Sequence, residues 1–427
     1  MDMKLAQDLL SFVNNSPSAF HIVSNIENLL QADGYTELLE SEAWEIKHQG
    51  KYYVKRNDTS IIAFHVGENL ADYGFNIVAS HSDYPTFKIK EKSEINVRDK
   101  YIQLNTEGYG GMICSTWFDR PLSVAGRVII KNNNHLESRL LNIDRDILII
   151  PSLAIHMNRQ VNEGTAFNKQ VDMVPLFGAG RMTVGDFDSM IAEELGVDKD
   201  NIYGKDLYLY NRSQGVLLGN KQEFICAPHL DDAECAYTTL LGFMNGYNAE
   251  SVNVYACFDN EEVGSRSKQG AGSSFMFDVL HRINYALGLT EEDYYRALAT
   301  SFMVSADNAH AVHPNHPEKT DTENCVYMNE GIVIKSQAEQ KYTSDAVSIA
   351  IFRDICAETG VPVQFYSNRS DQAGGSTLGN ILTSNVSIKA VDIGLAQLAM
   401  HSSFETAGSD DLEYMVKAIT AFFNSRI

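Results

Sequence analysis

Past residue 225 the chain alternates apolar strand-like runs with helical segments, and that alternation admits few folds. The runs at 252–258, 302–305, 361–366 and 387–393 are interleaved with helix-like segments near 233–246, 343–359, 376–383 and 410–424. Strand–helix alternation of this kind predicts an α/β fold, a mixed and mostly parallel sheet flanked by helices. Three further strands, at 52–56, 60–66 and 76–80, precede a stretch of different texture. From about 91 to 225 the chain breaks into many short β-like pieces with Gly turns and few helical periods. The simplest architecture is one α/β domain built from residues 1–90 and 226–427, with a β-rich insertion at 91–225. Two helices lead in: an amphipathic MDMKLAQDLLSFVNN, and a second opened by Ser16-Pro17 and stopped at Gly34.

The composition narrows the function. There are 34 Lys and Arg against 56 Asp and Glu, a formal net charge of −22. Nucleic acids and anionic membrane surfaces need a basic face, so neither is expected as a partner. The opening residues lack the cationic and apolar blocks of a signal peptide. No apolar run approaches the roughly 18 residues that span a bilayer. The six cysteines are scattered with no CxxC pair, which predicts reduced thiols and a cytoplasmic protein.

The chemistry-bearing residues recur at strand ends. Strand 76–80 runs into His81-Ser82-Asp83, and strand 252–258 into Asp259-Asn260-Glu261-Glu262. Strand 302–305 is followed by Asp307, and 387–393 leads to a loop carrying His401. Ligands gather beyond the carboxyl ends of strands in open α/β sheets, so these side chains are expected at one edge. Asp231 opens the helix after the insertion and points to the same place. Two imidazoles and three carboxylates suit a pair of zinc-like ions. Their +4 is balanced by Asp231, Glu262 and Asp307 plus one bridging hydroxide. His81 and Asp307 would serve one ion and Glu262 and His401 the other, with Asp231 shared. Glu261 is placed to act as general base, and Asp83 to accept the free N–H of His81. Taken singly, a Glu-Glu pair is ordinarily a solvated loop; the recurrence carries the argument. GxxxxGK[ST], GxGxxG after a strand, HExxH and GxSxG are all missing.

The segments SHSDYPTFKIK, YGGMICSTWFDRPLSVAGRV, HLDD, CFDNEEVGSRSKQGAGS, SADNAHAVHPN, GIVIKSQAEQKYTSDAVS and LAMHSSFETAG, in this order, closely resemble the aspartyl aminopeptidase and vacuolar aminopeptidase I family of dizinc metallopeptidases. The resemblance runs nearly end to end. It implies an aminopeptidase that removes one N-terminal residue at a time from peptides with two divalent ions, Zn²⁺ or alternatively Co²⁺ or Mn²⁺. His81, Asp231, Glu262, Asp307 and His401 occupy the family's ligand positions, Glu261 its base position, and Asp83 that of the partner of the first His. The resemblance further implies substrate contacts at His156, His310, Lys335 and Tyr342. A buried Lys335 ammonium would pair with acidic N-terminal side chains. It also implies that the insertion is a dimerisation domain, and that dimers assemble into a tetrahedral dodecamer enclosing the active sites.

Two departures stand out. PEKTDTENCVYMNEG lacks the His residues usual there, with Thr320 and Asn324 near their positions, and HLDD stands where the family has RLDN. A neutral-residue (Leu-type) aminopeptidase is therefore the alternative specificity. A carboxypeptidase using Lys335 or Arg266 for a terminal carboxylate, and a non-catalytic scaffold of this fold, are the competing readings.

Overall fold

The computed structural model describes residues 3–427; the first two residues of the expected amphipathic helix lie outside them. A nine-stranded sheet forms the centre. Its order is Thr36–Glu37, Lys51–Arg56, Ser60–Val66, Val252–Phe258, Phe75–His81, Phe302–Ala306, Lys389–Gly394, Ile332–Lys335 and Val363–Tyr366. The four strands from Val252–Phe258 to Lys389–Gly394 are mutually parallel, and antiparallel pairs flank them on both sides. The expected mixed, mostly parallel sheet is therefore found. Its four parallel strands end together, with Phe258 opposite His81 and Ile393 opposite Ala306.

Both faces of this sheet are buried, which is why its strands read as unbroken apolar runs. Alternate residues feed two cores. Tyr255, Cys257, Val78, Val304 and Val391 pack under the helices Met3–Asn14, Ala19–Ala32, Leu230–Asn245, Ala346–Thr359 and Asp411–Asn424. Val254, Ala256, Ile77, Ala79 and Met303 pack under Phe275–Ala286, Glu291–Thr300 and Leu378–Asn385. The sequence reading passed over two of these helices, Phe275–Ala286 and Glu291–Thr300. The second carries a readable start signal, a capping box in which Thr290 and Asp293 satisfy each other's backbone N–H.

A six-stranded antiparallel sheet stands apart, in the order His135–Asn142, Leu122–Asn132, Ile202–Asn211, Thr86–Val97, Tyr101–Tyr109, Leu176–Ala179. It starts at Thr86, before the residue 91 expected from texture, and encloses its own core around Phe87, Trp117, Val124 and Leu207. It also carries a helix, Asp186–Leu195. A five-stranded sheet pairs Phe224–Ala227, just after the antiparallel sheet in the chain, with Glu405–Gly408 near the C-terminal helix.

One boundary needs correction. The second helix starts at Ala19 with Ser18 as its extended N-cap, not at Ser16-Pro17. The Ser16 N–H still bonds the Val13 carbonyl of the preceding helix, and Asn25 donates to the Asn15 carbonyl and the Ser16 hydroxyl. Those bonds hold Ser16 in the turn between the helices.

Candidate metal centre

His81 is the last residue of its strand, and Asp307 follows the end of the neighbouring one. Glu262 lies in the short turn after Val252–Phe258. His401 sits in the loop between Ala396–Leu398 and Glu405–Gly408, with a left-handed φ of 67°. Asp231 is at the start of Leu230–Asn245. The structure brings all five side chains together.

Asp231 is the hub. Its Oδ1 is 3.4 Å from His81 Nε2 and its Oδ2 is 3.4 Å from His401 Nε2. The second imidazole is also 3.3 Å from Glu262 Oε1. Two groups of donor atoms result, each within 4.8 Å: His81, Asp231, Asp232 and Asp307, and Asp231, Glu262 and His401. Glu261 forms a further such group with His81 and Glu262. Each oxygen of the Asp231 carboxylate thus faces a different group.

The electrostatics mark a concentrated negative charge. Burial pushes Glu262 up to about 7, with the Asp231 carboxylate adding to the shift against the opposing pull of His401. Burial and then the neighbouring acids Asp307 and Glu262 raise Glu261 well above the usual carboxylate range, against His81. Burial opposes charge on His401, yet the adjacent Asp231 and Glu262 carboxylates carry it up to about 11. His81 is likewise raised, burial being outweighed by Asp232, Asp231 and Asp83. Such a cluster demands positive charge.

Divalent cations fit the donor set. Asp231 Oδ1, Asp232 Oδ1 and Glu262 Oε1 are buried without hydrogen-bond partners, an expensive state for carboxylate oxygens unless a cation meets them. Imidazole nitrogens with carboxylate oxygens are the ligands zinc takes.

Asp83 stands beside the His81 ring, with Nδ1 3.0 Å from its backbone carbonyl and 3.5 Å from its Oδ1. Its carboxylate also accepts the backbone N–H groups of Glu261 at 3.0 Å and Glu262 at 3.2 Å, and the Tyr109 hydroxyl at 2.5 Å. It therefore fixes the turn that presents both glutamates. His401 Nδ1 meets the Gly111 carbonyl at 3.0 Å, so the antiparallel sheet's YGGM segment steadies that ring.

Two residues that the sequence reading missed also act here. Asp232 accepts the His81 backbone N–H at 3.0 Å. Glu405, 1 % exposed, accepts the N–H of Asp231 at 3.0 Å through one oxygen and that of His401 at 2.6 Å through the other. Asp232 was open to notice as the second acid of HLDD. Glu405 becomes visible only through strand pairing, which sets it opposite Ala227.

Of the expected substrate contacts, three adjoin the cluster. Lys335, 2 % exposed, donates to the Asp307 carbonyl at 2.8 Å and the Asn308 carbonyl at 3.3 Å, and its Nζ is 3.8 Å from Asp307 Oδ2. Burial opposes its charge, but Asp307 and Tyr342 raise it, so it stays cationic. The ammonium lies 5.4 Å from the Tyr342 ring centre. The exposed His310 stands edge-on to Tyr366, which neighbours Tyr342. His156 is different: it is exposed on the long loop after Asn142 and is not among the side chains gathered around Asp231.

The chain matches the Aminopeptidase I zinc metalloprotease (M18) family over residues 12–423. It is 48 % identical over 433 aligned residues to a probable M18 family aminopeptidase 2 of Clostridium acetobutylicum, covering 99 % of both chains. The cryo-EM structure of the Ape4 and Nbr1 complex contains a chain that superposes with a TM-score of 0.94 at 35 % identity, covering 98 % of this chain and 85 % of that one. The mApe1 dodecamer of S. cerevisiae superposes at 0.85 and 26 % identity, covering 98 % and 96 %. With its ligand-type side chains converging beyond the strand ends, this chain belongs to the M18 family of zinc aminopeptidases, hydrolases acting on peptides.

Proposed function

We propose that this aminopeptidase holds two divalent ions, zinc first among the candidates, and favours peptides with an acidic N-terminal residue. His81 and Asp307 would hold one ion, Glu262 and His401 the other, and Asp231 both. At such a centre the ions supply Lewis acidity, polarising the scissile carbonyl and acidifying a water. Glu261 adjoins the donor atoms and is buried enough to bind a proton, so it takes one from that water and delivers it to the departing amine. Asp83 keeps Glu261 and Glu262 in register by gripping their backbone.

The observation carrying the acidic preference is Lys335. An ammonium has three donors; two are engaged by carbonyls, leaving one for a substrate carboxylate beside Tyr342 and His310. A Lys or Arg side chain would meet like charge there. Lys335→Met should abolish release of Asp and Glu relative to Leu in p-nitroanilide assays. If the parent releases Leu alone, the neutral-residue preference replaces the acidic one.

The mApe1 dodecamer supports a homo-oligomer; in this reading it is built from dimers, with residues 91–225 as the dimerisation domain and tetrahedral closure around the active sites. The exposed His156 reaches the active site and contacts peptide in this reading. Six free cysteines, and no helix among the described residues long and apolar enough to cross a membrane, support a cytoplasmic location.

A further inference from the structure

We infer that the groove beyond Glu261 receives the leaving part of the peptide and that Arg266 recognises a carboxylate on it. The inference rests on the aminopeptidase activity and on Glu261 as its base. From Glu261 and Glu262 an open groove of about 820 Å³ passes Arg266 and reaches Ser376, Asn380 and Ser384. Lys335, Tyr342 and Asp307 are not on its wall. The group that hands a proton to the departing amine must face the chain that departs, so the groove lies on the side of the second and later substrate residues. Hydroxyl and amide side chains along Ser376–Ser384 suit a passing peptide backbone.

Arg266 is the cation of this wall. It is exposed and has no carboxylate partner among the described residues, in a chain of net charge −22 and within a groove that begins at two glutamates. Some arginines of the chain are paired, Arg56 with Glu40 and Asp278 and Arg212 with Asp144 and Asp146; what sets Arg266 apart is its place on the groove wall beside Glu261 and Glu262. A planar guanidinium left unpaired at a peptide path matches a carboxylate bidentately. That carboxylate comes from an acidic side chain downstream of the cut or from the C-terminus of a short peptide.

Two peptide pairs separate these sources. X-Ala-Glu-Ala-amide against X-Ala-Lys-Ala-amide varies the side chain; X-Ala-Ala acid against its amide varies the terminus. X is whichever N-terminal residue the metal-loaded parent releases fastest as a p-nitroanilide, so a failed acidic preference at the first residue leaves this test intact. The parent should favour the carboxylate member of at least one pair by about fivefold in kcat/KM, the scale of one exposed ion pair, mainly through KM. Arg266→Gln should bring that ratio to about one, and Arg266→Glu should reverse it. Equal rates for the parent on both pairs, or a ratio that survives both substitutions, would overturn the inference.

Discussion

Asp231 faces one imidazole with each of its oxygens, and the remaining ligand-type side chains divide around it. The division assigns different consequences to different residues. Glu261→Gln should keep both metals while turnover drops by about 10²–10⁴-fold, because only proton transfer is lost. His81→Ala and His401→Ala should lose metal and activity together; elemental analysis beside kinetics separates the cases. Glu405→Gln should weaken metal binding by about 10–100-fold in chelator competition with the far-UV spectrum unchanged. One of its two oxygens becomes an NH₂ facing a backbone N–H, so the grip on Asp231 or His401 is lost. The ligand-type residues were legible in the sequence because four of them lie at or just past strand ends and Asp231 opens a helix, and the family resemblance then marks the same positions. Glu405 and the backbone contacts of Asp83 were not: they join N–H groups distant in sequence, and no side-chain pattern records them.

The strands that deliver the site leave little room at their ends. A Cβ on Gly394 would lie 1.9 Å from the Asp307 carbonyl oxygen, a backbone atom that cannot swing away. Gly394→Ala should therefore cost on the order of 3 kcal/mol in urea unfolding. Because the displaced residue is Asp307, metal affinity should fall as well. Gly110 has φ of 73° and a Cβ there would meet Glu262 Cβ at 3.2 Å, so a larger residue at this turn is strained and presses on Glu262. The lead-in helices contribute a pH dependence. Burial pushes His21 down to about 4, so the fold favours its neutral form. Its contribution is complete above the unfolded value near 6.5 and is lost as pH falls from there toward 4. His21→Gln should reduce the drop in urea midpoint between pH 7 and pH 5 relative to the parent. At this scale the sheet was readable and its covering was read in part. Both-face burial writes itself as apolar runs, whereas Phe275–Ala286 follows a glycine-rich turn that conceals its start.

Two cations stand at or near the site in a chain carrying −22. Lys335 is buried beside the cluster and Arg266 stands free in the groove. The loop after Asn142 exposes Leu153, Ile155, Met157 and Val171 together with His156, a surface suited to cover by another copy. Light scattering should therefore give a mass far above that of one chain. His156→Ala should lower turnover without changing metal content, since its ring is not among this chain's own donors. The family resemblance supplied a substrate contact at His156, and the single chain leaves that ring exposed, away from the side chains around Asp231.

The central claim is metal-dependent release of acidic N-terminal residues, and the most direct measurement is hydrolysis of Asp-, Glu-, Leu- and Lys-p-nitroanilide by the metal-loaded protein beside an EDTA-treated control. The metal-loaded protein should release product from the Asp and Glu substrates, lose that activity with chelator, regain it with zinc, and release little from Lys. Release that survives complete metal removal, or no release from any of the four, would contradict it.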